Sequence, residues 1–344
     1  MVKLKDISEK TGFSVTTVSR ALGGHDDVNP ETRQHIMETA IQMGYQPNGV
    51  ARQLRNQKTD TIGIIIPSDD TRFSDDFFSE LVLGVGFAAA HFGYDLLLSA
   101  QTSADEMSAY RRIVGGNRVD GVILARTRKH DPRIAYLKEK HLPFVVSGRS
   151  APDEISDFPY IDVDSQSGIA QMTAHLIGLG HVHIGLILPP DDMAFTRYRL
   201  DGYKDALLSA NLPYRDDYVV YGDLRREGGA SATRQLLARH PHLSAIVACN
   251  DAMALGAMRA VTDMGLRVGV DIAITGFDNI PSAEHAHPPL TTVRQPIQDI
   301  GQHLVEMLIK LIHREPLGER QILLSPMLIV RESCGAYPTR KDLP

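Results

Sequence analysis

Two histidine pairs, His181-x-His183 and His285-x-His287, could present imidazole nitrogens to a metal ion. Neither has an acidic or cysteine partner at a ligand spacing, so a structural role is the better reading and no metal is expected. Gly84-Val-Gly86 with Ala89 imitates a dinucleotide fingerprint, yet it falls inside a helical stretch rather than after a strand. Gly-x-Ser-x-Gly, a P-loop and HExxH are missing from the sequence. Cys249 and Cys334 are too few for a disulfide framework, as expected where thiols stay reduced. These residues predict no enzyme activity and no cofactor, which shifts attention to groups that bind rather than react.

The elements that would carry such groups follow from length and pattern. A chain of 344 residues is enough for about two to three domains. With 43% hydrophobic and 23% charged residues it reads as globular, neither disordered nor fibrous. No apolar stretch reaches the roughly 18 residues of a membrane span, and Met1-Val-Lys-Leu-Lys-Asp6 lacks the apolar core of a signal peptide, so a cytoplasmic protein is expected. The net charge of −6 is uneven: residues 1–58 carry eight Lys and Arg against six acids, leaving −8 to the remainder. A mildly basic end joined to an acidic body suits a nucleic-acid module attached to something that binds elsewhere.

The first sixty residues read as short helices. Leu4 and Ile7 share one face of a helix that Gly12 ends, and Ser14 can cap a second helix with Val15, Val18 and Leu22 at helical spacing. Two helices joined by a Gly-containing turn outline a helix-turn-helix. A third starts at Asn29-Pro30-Glu31 and ends near Gly44. Pro47 to Asn56 could make only about two helical turns, marginal alone in water. From Thr61 the pattern becomes β-rich runs separated by amphipathic helices, at residues 61–66, 94–99, 121–124 and 143–146, then 183–188, 218–221, 245–248 and 272–275. Alternation of this kind means parallel sheets covered by helices, and two groups of strands predict two α/β subdomains with a cleft between them.

Specific motifs sharpen this outline. Leu4 to Leu22 is similar to the helix-turn-helix of the LacI/GalR-type transcriptional repressors, and Gly44-Tyr-Gln-Pro-Asn48 followed by Ala51-Arg52-x-Leu54 to their hinge. In the body, Arg199-Leu-Asp-Gly202, Asn250-Asp-Ala-Met-Ala-Leu-Gly256, Gly276-Phe-Asp278 and Leu290-Thr-Thr-Val-Arg-Gln-Pro296 resemble family signatures in the expected order. The chain thus resembles that family over essentially its full length. The resemblance implies a helix-turn-helix domain at residues 1–46 and a hinge helix and linker at 47–60. Two Rossmann-like subdomains of periplasmic-binding-protein type would follow: 61–161 plus 292–320 as the N-subdomain, and 162–291 plus 321–344 as the C-subdomain.

It also implies sites. A recognition helix puts its N-terminal residues at base edges in the major groove, so Val15, Thr16 and Arg20 are candidate readers. Arg20 can contact guanine bidentately and Val15 a thymine methyl, while a solvated surface charge is the plain alternative for Arg20. Asn48 and Leu54 are the hinge candidates. The family's leucine wedges between base pairs of the minor groove, and an interdomain contact is the alternative for Leu54. In the cleft the matching positions imply that Arg199, Asn250 and Asp278 hydrogen-bond an effector beside an apolar wall of Phe77 and Phe78, with Arg149 as a fourth polar candidate. Asn250 also suits a helix cap, Asp278-Asn279 suits a turn before Pro281, and Arg199 suits a surface charge.

The combination points to a homodimeric, ligand-responsive, sequence-specific DNA-binding regulator, a repressor acting on double-stranded operator DNA. Arginine, asparagine and aspartate satisfy vicinal hydroxyls, making a mono- or disaccharide the leading effector and leaving a purine open. The sequence has no tryptophan, so Phe77, Phe78 or Phe195 would do the stacking. A solute-binding protein or sugar-processing enzyme on the same body is the rival class, but the former needs an export signal and no DNA module. The segment after Cys334 has no heptad run for a tetramerising coil.

Overall fold

The computed structural model describes residues 2–45, 58–67, 76–101 and 106–336. They fall into two compact units, Met1–Lys58 and Thr59–Pro344. The hinge candidates Asn48 and Leu54 lie outside the described residues.

The first unit holds α1 (Leu4–Thr11), α2 (Val15–Leu22) and α3 (Pro30–Gln42). Gly12 ends α1 at φ +75°, a left-handed conformation that strains any residue with a side chain. Ser14 Oγ accepts from the Thr17 backbone N–H at 3.1 Å, and Asn29 Oδ1 from that of Glu31 at 2.9 Å. These caps satisfy donors that helix starts leave unpaired. Ile7, Val18, Ala21, Val28, Ile36 and Ala40 form one core. Each large aliphatic contributes about 1.5–3 kcal/mol on burial, so a unit this small is held by few side chains.

The second unit carries two six-stranded sheets. Its strands are β1 (Thr61–Pro67), β2 (Asp95–Gln101), β3 (Gly121–Ala125), β4 (Phe144–Ser147), β5 (Tyr160–Val163), β6 (Ile184–Leu188), β7 (Val219–Tyr221), β8 (Ala245–Ala248), β9 (Ala273–Asp278), β10 (Thr291–Arg294), β11 (Gln321–Leu324) and β12 (Met327–Ile329). The helices are α4 (Asp76–His91), α5 (Glu106–Gly115), α6 (Pro132–Glu139), α7 (Ser165–Gly178), α8 (Ala194–Ser209), α9 (Arg226–Arg239), α10 (Asp251–Asp263), α11 (Pro281–Glu284) and α12 (Ile297–Ile312). The first sheet runs β11-β5-β4-β3-β1-β2 and is parallel throughout. The second runs β12-β10-β9-β8-β6-β7, with β12 antiparallel to β10.

Period-two burial explains the layers. In the first sheet Ile62, Ile64, Ile66, Ile123 and Ala125 face a core shared with α4 and α12, whereas Ile65, Val122 and Leu124 face one shared with α5 and α6. Apolar on both faces, such strands read as unbroken hydrophobic runs. Gly84 is a packing device rather than a nucleotide motif: a Cβ there would lie 2.1 Å from the carbonyl oxygen of Gln298 on α12.

The chain crosses between the sheets three times. Strand β10 pairs with β9, and β11 pairs with β5. The three crossings therefore come after Val163, after Arg294 and after Leu324, not at the boundaries 161/162, 291/292 and 320/321 expected from the sequence. Hydrogen-bond partners decide the matter, and β5, β10, β11 and β12 are strands absent from the sequence expectation.

Candidate functional site

On the first unit, α2 buries Val18 and Ala21 while Val15 stays 43% exposed and Thr16 and Arg20 are also exposed. The three candidate base readers thus share the solvent side of one helix. Arg20 pairs with Asp27. Both side chains are about half exposed, and such a pair contributes only about 0–1 kcal/mol, so exchanging the carboxylate for another acceptor costs little.

On the second unit, a cavity of about 690 Å³ counting its open mouth lies between the two sheets. The carboxyl ends of strands build it, the usual ligand crevice of open α/β sheets. From the first sheet come Arg126 after β3, Arg149 after β4 and Asp162 on β5, with Phe77 from α4. From the second come Leu224 after β7, Asn250 after β8, Asp278 at the end of β9 and Gln295 after β10, with Phe195, Tyr198 and Arg199 from α8.

Of the six cleft candidates, Phe77, Arg149, Arg199, Asn250 and Asp278 line this cavity. Phe78 does not. It is 2% exposed and belongs to the core of the first sheet with Leu81 and Val85. Successive residues of a helix point about 100° apart, so only one of the two rings can face the cleft. Both are tied to the site by Arg126, whose guanidinium carbon sits 5.8 Å from the Phe77 ring centre and 4.7 Å from that of Phe78.

Arg199 is buried rather than a surface charge. Its guanidinium lies 4.6 Å from the Phe195 ring centre and 4.4 Å from that of Phe277, and it donates to the carbonyl of Cys249. Its Nε–H has no acceptor among the described residues. Asn250 does cap α10, its Oδ1 accepting from the Met253 backbone N–H at 2.9 Å, and its Nδ2 donates to the carbonyl of Leu224 at 3.0 Å. Capping and a place in the cavity wall hold together. Arg149 lies 3.9 Å over the Tyr198 ring, with Nε 3.2 Å from Asp162 Oδ2. Tyr198, on α8, donates to the Ser150 carbonyl at 3.1 Å and so links the two halves of the unit.

The two carboxylic acids have shifted protonation. Burial pushes Asp162 up to about 6 despite the opposing Arg149 guanidinium. Burial also holds Asp278 well above the usual carboxylate range; Arg199 opposes the shift and the neighbouring Asp251 adds to it. Gln295 Nε2 donates to Asp278 Oδ1 at 2.5 Å. A protonated Asp278 could donate as well as accept, so the cavity offers fixed donors, adaptable acids and aromatic walls. Cys249 is no nucleophile, its thiol pushed up to about 12 by burial.

Arg126, Asp162, Tyr198 and Gln295 escaped the sequence reading. The carboxyl-end rule would have found Arg126, which follows a legible strand. Gln295 lies inside the quoted Leu290 to Pro296 signature without having been singled out.

Among known proteins, residues 3–48 match the model of the bacterial regulatory proteins of the lacI family, and residues 173–334 that of the periplasmic binding protein-like domain. The chain is 35% identical to the HTH-type transcriptional regulator CelR of Thermobifida fusca over 96% of this chain and 97% of that protein. It is 32% identical to the HTH-type transcriptional repressor CytR of Escherichia coli, over 97% of each. Among solved structures, a CelR–cellobiose complex matches with a TM-score of 0.76 and 34% identity, covering 97% of this chain and all of that one. The lac repressor dimer bound to operator and the anti-inducer ONPF matches with a TM-score of 0.84 and 27% identity, covering 97% and 99%.

Proposed function

Because the chain belongs to the LacI family of bacterial transcriptional regulators, we propose that it is a homodimeric repressor released from or held on its operator by a mono- or disaccharide bound in the cavity between its two sheets. The observation that carries this reading is the convergence on one cavity of Arg149, Arg199, Asn250, Asp278 and an aromatic wall, on the same chain as an exposed helix-turn-helix face. Arginine, amide and carboxyl groups match vicinal hydroxyls, and Phe77, Phe195 and Tyr198 offer faces for the apolar side of a sugar ring. The relative CelR was solved with cellobiose, which supports the saccharide class. On the operator, Val15, Thr16 and Arg20 read base edges, and Asn48 and Leu54 are the hinge contacts, on sequence grounds.

An effector bridging the two halves changes operator affinity only so far as it binds one conformation better, and operator changes effector affinity by the same factor. A thermal-shift screen of mono- and disaccharides, cellobiose included, with nucleosides alongside, tests the effector class. A dose-dependent rise with a saccharide that also alters operator binding in a mobility-shift assay is expected. A response to nucleosides alone would replace the saccharide reading. The operator, selected from random duplexes, is expected to be near-palindromic and its affinity to fall steeply with salt as phosphate contacts release counterions.

A further inference from the structure

Asp251 follows directly on Asn250, is completely buried, and lies behind the cavity wall rather than in it. Its Oδ1 accepts from the Thr292 hydroxyl at 2.5 Å and its Oδ2 from the Ile280 backbone N–H at 3.0 Å. One side chain on the first turn of α10 thus gathers donors from β10 and from the turn that follows β9.

That turn needs holding. Asp278 has φ +126° and Asn279 φ +58°. Consecutive non-glycine residues with positive φ are strained and persist only where their surroundings impose them. Arg331 contributes by donating from Nη2 to Asn279 Oδ1 at 2.8 Å. Room for the carboxylate is made by Gly276, where a Cβ would sit 2.2 Å from Asp251 Oδ1. A carboxylate can only accept, and hydroxyl and amide donors converge on this one. An asparagine there would turn an N–H toward one of them.

We infer that Asp251 is the positioning residue of the effector site: by tying the 278–280 turn to Thr292 it sets the direction in which Asp278 faces the cavity. The inference rests on the reading of that cavity as the effector site. Asp251 touches no effector itself and acts through Asp278. The charged groups around the pair are Arg199 and Arg126 toward Asp278 and Arg331 toward Asp251. Burial pushes both carboxyls upward, and each is held near the other in a poorly solvated place.

The test uses the full chain without effector, so it is decided whatever the saccharide screen returns. Parent, Asp251→Asn and Thr292→Val are compared by hydrogen–deuterium exchange of peptides spanning residues 278–284, and by carboxyl-carbon NMR titration of Asp278. Losing a hydrogen bond to an ionised acceptor should speed exchange at the turn by at least about tenfold in Asp251→Asn, with β6 and β8 unchanged. The Asp278 midpoint should fall, since a neighbouring negative charge is gone. Thr292→Val should raise exchange at the same turn by a smaller factor, and it decides alone if Asp251→Asn does not fold. Exchange that rises uniformly across the second sheet, exchange that stays unchanged at the turn, or an unmoved Asp278 midpoint overturns the assignment.

Discussion

Replacing Asp278 with Asn should make the effector-free protein more stable, and by an amount that depends on pH. Asp278 is 6% exposed, and burial holds its carboxyl above the ordinary range. The opposing Arg199 guanidinium and Gln295 amide do not cancel that shift, and Asp251 adds to it. A free aspartate titrates near pH 3.9. Between there and the raised native midpoint, the folded chain holds a proton that the unfolded chain has released. The stability contributed by Asp278 is therefore complete in acid and is lost as pH rises through that window, at about 1.4 kcal/mol per pH unit. Asparagine has nearly the same shape, can still accept from Gln295, and does not titrate. The stability advantage of Asp278→Asn should therefore be small in acid, grow by about 1.4 kcal/mol per pH unit, and level off once the parent carboxyl ionises in the folded state. Urea unfolding of both proteins, followed by circular dichroism at intervals from about pH 5 to about pH 9, measures it, with unchanged m-values confirming that the same unit unfolds. Parallel pH profiles for parent and variant would refute the burial argument. Loss of stability at every pH would show that the carboxylate is instead satisfied as an anion.

Other substitutions probe different links. Arg20→Ala should weaken operator binding by about 1–3 kcal/mol and relax preference at one symmetric base position, read by mobility shift on a mutated operator set; parent-like binding would move the base-reading face elsewhere. Arg199→Ala should spare operator affinity while raising the saccharide concentration needed for half-response, because a buried ligand group loses its partner; equal midpoints in an effector titration would remove Arg199 from the site. Arg133 is buried and bridges Glu106 at 2.9 Å and Asp131 at 2.6 Å. Arg133→Ala leaves the buried Asp131 carboxylate without a cationic partner, while Glu106 keeps Arg128, and should cost about 3–5 kcal/mol in urea unfolding, with a loss under about 1 kcal/mol counting against the pair.

What the sequence made legible follows from how each element is buried. Strands β1, β3, β6 and β8 lie between helical layers, so they had to be apolar on both faces and stood out as runs. Strand β5 reads Tyr-Ile-Asp-Val and β10 reads Thr-Thr-Val-Arg, in which Asp162 lines the cleft and Thr292 donates to Asp251, so neither strand stands out as an apolar run. Strands β11 and β12 are short and half-exposed edges whose partners are remote in sequence. No local period announces such strands, since only the pairing with β5 and β10 makes them strands. The gap carried over into the site, where Asp162 and Gln295 sit on or just after strands the pattern did not reveal.

The candidates themselves show where residue type stops informing. Phe77 and Phe78 are chemically equivalent, and helix phase alone sends one to the cavity and the other to the core. Asn250 read as a cap or a ligand contact, and the structure shows the cap at a position that also lines the cavity. Asp278-Asn279 forms a turn with positive φ values that still leaves the Asp278 carboxyl in the cavity wall. The polar residues of the cavity are concentrated where the backbone leaves a sheet. At the carboxyl end of a parallel strand the chain must turn, and the turn places side chains from separate strands around one crevice. A buried polar residue at such an end, even one that caps or turns, is therefore where effector recognition is to be sought, and the residues behind it, Asp251 foremost, are what make its direction reproducible.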